Sequence, residues 1–396
     1  MPDNVYGNGT STATAGPNTI VHYYDKAGVK AANESAVYAQ FADKRSMPLH
    51  MGKTYKVSKW LHIYDRVLDP ASQIGGTDAA FGTKGYLTAR DIADVSSGMP
   101  TLAEGAGAVN KVTLKKVTIE TNFSRYGEML DYTDEVTMFS EDMVQVQYRE
   151  ELGKLAGRRA EDLVQLDMLD TTTIQYAGTA TAIGEVGQDT TDVAGADDDD
   201  SRISYDMVRR ISRRLVRNRA EKNTSIVTGS TKIDTRVINK AFYAIIGPEI
   251  KYDLESLVKG SGNSEEFAYV PAYKYADAAN LAEGEVGAMN DVRFIESESA
   301  LVYAGQGAAI PGSYTGALSN NGTNFDVFPI LFPTKGSFAT VGLKGKGKIK
   351  FNSQAPDKIE LSNPYATQGF FSYNMWYAAI ILREERLLKG YVCASS

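Results

Sequence analysis

From Gly52 to Arg66 the chain reads GKTYKVSKWLHIYDR, with Tyr55, Val57, Leu61 and Ile63 on one side of a period-two pattern. Thr54, Lys56, Ser58, Trp60, His62 and Tyr64 fall on the other side, an alternation that predicts a half-buried β-strand. No tight turn follows. The stretch best able to pair with it is KVTLKKVTIETNF, Lys111 to Phe123, where Val112 and Leu114 share a face until Lys115 and Lys116 break the phase and Val117 and Ile119 resume on the opposite parity. A shift by one residue is what a β-bulge inserts, so the two strands predict a kinked antiparallel ribbon. Between them, residues 67–110 hold Gly75, Gly76, Gly82, Gly85, Gly98, Gly105 and Gly107 with little regular period. A connection that long is more often functional or interaction-bearing. A two-stranded ribbon is marginal alone in water, so this one is expected to lie on another surface, with a second copy of the chain the simplest candidate.

Upstream, residues 1–19 are small and polar and read as an arm, and Ala-rich helix formers around Ala31–Ala42, with Val37 and Phe41 four apart, predict a modest helix ending before Pro48. After a second strand-like stretch, SRYGEMLDYTDEVTMF, the period turns helical over Ser140–Asp170. Ser140 is placed as N-cap with Glu141 and Asp142 in the first turn, and Val144, Tyr148, Leu152, Leu155, Leu163 and Leu166 mark one stripe. At 1.5 Å per residue this is a rod of roughly 45 Å, a spine for whatever packs on it.

A Thr/Gly/Asp-rich linker over 171–200 ends in ADDDD. The helix expected next, SYDMVRRISRRLVRNRAEK, turns Val208, Ile211 and Leu215 inward and spreads Arg209, Arg210, Arg213, Arg214, Arg217 and Arg219 over the remainder. TSIVTGS reads as a short buried strand, IDTRVINKAFYAIIG as a helix stopped near Gly247 and Pro248, LAEGEVGAMN as a loop and DVRFIESESALVY as a strand. Residues 305–324 suit a surface loop, and the tail, dense in apolar and aromatic residues, reads as β-strands.

Composition narrows the class. The 396 residues are 43% hydrophobic and 23% charged, enough for two or three compact units without wholesale disorder. The single cysteine, Cys393, excludes an internal disulfide and a Cys-rich zinc site, and a position near a frayed terminus makes it a poor nucleophile. The N-terminal stretch has neither a basic region nor an apolar core, and no run nears the roughly 18 apolar residues of a membrane span. The expectation is a soluble protein kept in a cytoplasm. A net charge of −7 argues against a dedicated nucleic-acid binder, although local basic patches can still face one.

Chemistry is sparse. His22, His50 and His62 are the whole imidazole supply, and none stands at metal-ligand spacing from another His or Cys. The glycines of GLKGKGKIK lack the Gly-Lys-Ser/Thr ending of a phosphate loop. Asp197–Asp200 have the oxygen chemistry of a hard-cation site without its alternating spacing, so a solvated acidic loop is the simpler reading. The arginine helix suits solvation and inter-subunit ion pairs, with phosphate binding as the alternative. Lys344, Lys346, Lys348 and Lys350 would line one strand face, either guarding an edge or facing DNA. No catalytic, cofactor-binding or metal residue is assigned.

In order, these parts resemble the tailed-phage major capsid fold named for phage Hong Kong ninety-seven. More closely, RSMPLHMGKTYKVSKW, MPTLAEGA, KVTIETNFSRYGEMLDYTDEV, ELGKLAGRRAEDLVQLDML and NMWYAAIILREERLL look like the major capsid proteins of N-four-like podoviruses, the Schitoviridae, over roughly residues 20–395. The resemblance implies an α+β fold with an N-terminal arm over 1–51, an extended β-hairpin loop over 52–123, a peripheral domain with the spine helix over 124–175 and an axial domain over 176–325. The C-terminal strands, 326–396, would return to the peripheral domain. It further implies that Gly52–Phe123 overlaps a neighbouring subunit, and that hexamers and pentamers close an icosahedral shell around double-stranded DNA. Such a shell would be assembled in the host bacterial cytoplasm with decoration, scaffolding and portal proteins as possible partners, without a cofactor or a membrane. Two other classes stay open: an enzyme using some of the 49 Asp and Glu, and a β-rich phage tail component or surface adhesin.

Overall fold

The computed structural model describes residues 37–60, 104, 116–139, 144–187, 201–227, 235–259, 266–267, 269–274, 281–282, 284–311, 314, 316–344, 349–359 and 363–396. In chain order the strands are β1 (Asp43–Met47), β2 (Thr54–Trp60), β3 (Lys116–Asn122), β4 (Ser124–Thr133), β5 (Ile174–Tyr176), β6 (Asn223–Val227), β7 (Thr235–Ile246), β8 (Val258–Lys259) and β9 (Glu266–Phe267). Then follow β10 (Val270–Pro271), β11 (Glu285–Met289), β12 (Val292–Glu296), β13 (Phe328–Phe332), β14 (Phe338–Leu343), β15 (Ile349–Gln354), β16 (Gln368–Tyr377), β17 (Ala379–Ile381) and β18 (Leu388–Val392). The α-helices are α1 (Asp134–Phe139), α2 (Val144–Leu169), α3 (Tyr205–Arg217) and α4 (Pro248–Glu255).

The largest sheet runs β10-β11-β12-β7-β13-β18-β5, with β6 also paired to β7. The β12–β7 and β18–β5 pairs are parallel and the others antiparallel. One face carries Phe242, Ala244, Ile246, Phe294, Ile330 and Phe332 against Val208, Ile211 and Leu215 of α3 and Ile250 and Leu254 of α4. The other carries Tyr243, Ile245, Ile295 and Leu331 against Val164 and Met168 of α2 and against Tyr38 and Phe41. Covered on both sides, β13 and β18 are buried at every position, which is why β13 reads as an unbroken apolar run.

The same burial explains β7, expected as a helix. Ile238, Ala241, Phe242, Ile245 and Ile246 fall at steps compatible with a helical face, yet every residue from Ala241 to Gly247 is buried in a central strand. Continuous burial removes the alternation that identifies a strand, leaving β-branched and aromatic content as the better guide. The break near Gly247 and Pro248 is real, but it opens α4, with Pro248 in the first turn where its missing N–H costs nothing. LAEGEVGAMN, expected as a loop, contains β11.

A second sheet, β15-β16-β4, lies on the N-terminal half of α2, and a third joins β1, β14 and β17. The tail expected to return to the peripheral part therefore divides: β13 and β18 complete the large sheet, while β14 to β17 form the two smaller ones. In α2 the buried line is Leu152, Ala156, Ala160, Val164 and Met168, whereas Leu155 and Leu166 of the expected stripe are exposed. Small residues let the sheet approach closely, so the face is set by alanines where leucines were expected.

Three further expectations change. Of the helix expected over Ala31–Ala42, the described part is a 3-10 turn at Ala39–Phe41 leading into β1, and residues 31–36 lie outside the described residues. The strand-like stretch Ser124–Phe139 ends as a strand at Thr133, because Asp134 and Glu135 start α1. The segment 305–324, expected on the surface, sends Ala308 and Leu318 into a cluster with Phe325, Val327 and Tyr391.

Candidate assembly surfaces

The ribbon is present as β2 and β3, antiparallel and in unbroken register from Thr54 opposite Asn122 to Trp60 opposite Lys116. The expected bulge and, apart from residue 104, the tip over 67–110 lie outside the described residues. The two faces differ as the alternation requires. Tyr55, Val57 and Ile119 pack against Phe123, Val341, Ile380 and Leu382, and Trp376 joins them. On the opposite face cross-strand pairs form a polar ladder: Thr54 Oγ1 donates to Asn122 Oδ1 (2.7 Å), Lys56 Nζ meets Glu120 Oε2 (2.7 Å), and the Ser58 and Thr118 hydroxyls are 3.2 Å apart. The apolar face at the base of the ribbon thus rests on its own chain, and the polar groups of the opposite face stiffen the pair. Lys59, on the inner side, donates from Nζ to the Leu382 carbonyl (3.4 Å), and burial pulls its pKa down.

The spine helix organises the rest. Its N-terminal half lies under Tyr132, Phe371, Tyr373 and Met375. Gly127 permits this sheet: a Cβ there would stand 2.5 Å from the Tyr373 carbonyl oxygen. At the C-terminal end Lys389 Nζ donates to the Leu169 carbonyl (2.7 Å), placing a cation at the negative pole of the helix. Midway, buried Glu161 accepts from the backbone N–H of Tyr38 (2.8 Å) and Ala39 (3.3 Å). Gln165, with its amide turned to satisfy its neighbours, accepts from Tyr38 Oη (3.0 Å) and Leu301 N (2.8 Å). Burial, the largest influence, pushes the Tyr38 hydroxyl up to about 12, so it stays a donor. The end of the arm is clamped to the spine by two polar residues that the amphipathic pattern did not single out. A Glu and a Gln interrupting a small-residue face were the available signal.

Apolar side chains remain uncovered: Met129, Met138, Phe139, Leu166 and Tyr365 are 54–87% exposed. They are surfaces available to other chains.

Among the described residues the chemistry-bearing side chains do not converge. His50 is exposed in a left-handed turn (φ 68°), and His22, His62 and Asp197–Asp200 lie outside the described residues. Cys393, expected near a frayed end, is fully buried just beyond β18, with its N–H donating to the Ser201 carbonyl (2.8 Å). Among the described residues no three His, Cys, Asp or Glu side chains stand close enough to share a metal ion, and no helix is long and apolar enough to cross a membrane. Lys344 follows the end of β14 and Lys350 sits on β15, strands of different sheets, so the lysines do not share one strand face; Lys346 and Lys348 lie outside the described residues. On α3, Ser204 caps the first turn by accepting from Met207 N (3.1 Å), and Val208, Ile211 and Leu215 point inward as expected. Arg214 departs from the expected solvated set: it is buried, donates from Nη1 to the Ile174 carbonyl (2.5 Å), and burial pulls its pKa to about 10.

An α+β body organised around one long helix, with a two-stranded ribbon pinned to it, uncovered apolar surface and no converging catalytic groups among the described residues, has the character of a structural protein. The chain is similar to the capsid of Ralstonia phage GP4 (TM-score 0.55, 9% identity, 91% of this chain and 89% of that one). It is likewise similar to the capsid of cyanophage P-SCSP1u (TM-score 0.50, 13% identity, 91% and 88%); both likenesses show the tailed-phage capsid fold. No family model matches the sequence. In sequence it is 30% identical over 382 residues to the major capsid protein of Pseudomonas phage KPP21, covering 94% of this chain and 92% of that protein. The chain belongs to the phage major capsid proteins and forms the phage head, which sets aside the tail and adhesin alternatives.

Proposed function

We propose that the chain is a major capsid protein of the N-four-like, Schitoviridae type, assembling as hexamers and pentamers into an icosahedral head around double-stranded DNA. The carrying observation is the ribbon: a stiff pair, pinned at its base by Tyr55, Val57 and Ile119, holding residues 61–115 between Trp60 and Lys116. In this reading that segment overlaps a neighbouring subunit. Residues 1–51 act as an arm, 124–175 as the peripheral part with the spine, 176–325 as the axial part, and 326–396 return from it to the peripheral part, supplying strands to the large sheet and to both smaller ones. Each subunit is held by several neighbours at once, so modest interfaces add up to a durable shell. The role is structural and not enzymatic, assembly takes place in the host cytoplasm, and scaffolding, decoration and portal proteins are the partners to seek.

Deleting residues 67–110 and bridging the gap with a short Gly/Ser linker tests this. The deleted chain should stay soluble and folded by circular dichroism yet form no closed particles in negative-stain micrographs. Normal shells from it would overturn the proposed overlap.

A further inference from the structure

The sheet β15-β16-β4 leaves one long edge unguarded. Natural sheets blunt their edges with short strands, lysines, prolines or bulges, and this chain does so elsewhere: β5 and β17 have three residues, β10 ends on Pro271, and β1, β2, β3 and β15 each carry a lysine. By contrast β4 has ten residues, SRYGEMLDYT, with neither lysine nor proline and no register shift against β16. Asp134 N donates to the Thr367 carbonyl (2.9 Å), which fixes the backbone phase at the end of the strand. Along an antiparallel pair that direction alternates from residue to residue. The N–H and C=O groups of Arg125, Gly127, Met129, Asp131 and Thr133 therefore face the open side, and no described residue pairs with them. At about 3.4 Å per residue they form a row of roughly 27 Å.

Laid antiparallel on a second copy with Glu128 at the two-fold axis, the strand complements itself. Arg125 then stands opposite Asp131 at both ends, Met129 opposite Gly127, and, on the other face, Tyr126 opposite Leu130. Opposite charges facing each other on one side favour a cross-strand pair. Asp131 has no ion-pair partner among the described residues, and Arg125 lies over the Trp376 ring at 5.6 Å, on the same face of the sheet. Met129 is 65% exposed, and in this pairing it covers a glycine that offers no side chain to displace it. Tyr126, 41% exposed, and the half-buried Leu130 extend the apolar cover. The repulsive pair is Glu128 with its counterpart, and each is already matched within its own copy by the Tyr373 hydroxyl (3.0 Å) and Arg159 (3.3 Å). Moving the register by two residues sets Arg125 opposite Met129 or Thr133 and loses both charge pairs.

We propose that β4 pairs with β4 of a second copy across a two-fold axis, joining two three-stranded sheets into one. The inference rests on the reading of the chain as a head protein built of hexamers and pentamers, and it names a contact between those units. A contact that uses the same patch on both copies is isologous, whereas subunits around a ring of five or six meet head to tail. The β4 pair therefore links neighbouring rings.

Two variants of the full chain test this. Met129→Pro removes an N–H that faces the open edge, so the β4–β16 ladder keeps its bonds while the edge can no longer accept a strand at that point. It should fold like the parent by circular dichroism and form no closed particles in negative-stain micrographs. Arg125→Cys/Asp131→Cys places thiols on directly opposed residues of the two copies, at a Cα separation of about 5.5 Å that a disulfide can span. After assembly and mild oxidation it should run as a disulfide-linked dimer on a non-reducing gel, whereas neither single cysteine variant should, since the native Cys393 is buried. Normal shells from a folded Met129→Pro variant overturn the inference. So does the absence of the dimer from the double cysteine variant, or a dimer formed equally well by one cysteine alone, and each of these leaves the head reading standing. If Met129→Pro does not fold, the cysteine pair decides. A parent that forms no closed particles counts against the head reading itself, and the cross-link, scored on concentrated subunits, still decides the pairing.

Discussion

At the scale of single residues the fold depends on a few buried carboxylates whose partners lie far away in sequence. Asp253 of α4 is 5% exposed and holds the C-terminal strand's continuation: Oδ2 accepts from Ser395 N (2.9 Å) and Oδ1 from Ser395 Oγ (2.5 Å). Asp253→Ala leaves both donors without their acceptor, so we expect a loss of about 2 kcal/mol in denaturant unfolding of the subunit, with Asn recovering part of it. Asp167 behaves differently. Burial pushes its carboxyl above the ordinary aspartate range, against the opposing effect of the Tyr377 hydroxyl that donates to Oδ2 (2.7 Å). A raised acid binds its proton more tightly in the folded than in the unfolded state. Its contribution is therefore complete below the unfolded pKa and is lost as pH rises through the folded one. The stability of the parent relative to Asp167→Asn should accordingly fall as pH rises from the ordinary aspartate range, about 4, towards neutral. A difference that stays flat across that range would show that Asp167 ionises as it does in water.

At the scale of elements, α2 shows what a pattern of apolar residues can and cannot convey. The helix and its length were legible; which side packs was not, because close approach of the β4–β16 sheet selects Ala156 and Ala160, which barely register as apolar, over Leu155 and Leu166. The consequence is a reversed hierarchy of substitutions. Ala160→Leu overfills the space beneath Phe371, Tyr373 and Met375 and should cost about 1–3 kcal/mol, whereas Leu166→Ala should stay within about 0.5 kcal/mol in the isolated subunit. Equal costs in a urea titration would restore the leucine stripe as the packing face. The ribbon was legible for the opposite reason. One face of β2–β3 is wet, so Tyr55, Val57 and Ile119 alternate with Lys56, Thr118 and Glu120 and the register is visible in the residues themselves. Over Ala241–Ile246 of β7 both faces are dry, the alternation disappears, and a strand reads as a helix. The clamp made by Glu161 and Gln165 was invisible for a third reason, since a buried acid is recognisable only through a partner more than a hundred residues away.

At the scale of the molecule, the body is closed by long-range strand pairing, and the β2–β3 ribbon is pinned to it. The large sheet cannot be completed locally: β5 is joined in parallel to β18, and β18 bridges it to β13, which alone connects that edge to β7. Leu387, Leu388, Val392 and Cys393 are fully buried, and Lys389 caps the spine helix from the same strand. Removing residues 388–396 would strip β18 from the middle of the sheet, open apolar strand edges on both sides, and leave the Leu169 carbonyl without its cation. Exposed edges of that kind template pairing between chains. The truncated chain should therefore be insoluble, or lose its cooperative thermal transition, under conditions where deletion of 67–110 leaves both solubility and transition in place. The two changes separate folding from assembly: one loses the subunit, the other only the shell. If the truncated chain melts cooperatively at the temperature of the parent, the sheet does not need its C-terminal strand, and the body is two independently stable parts instead of one.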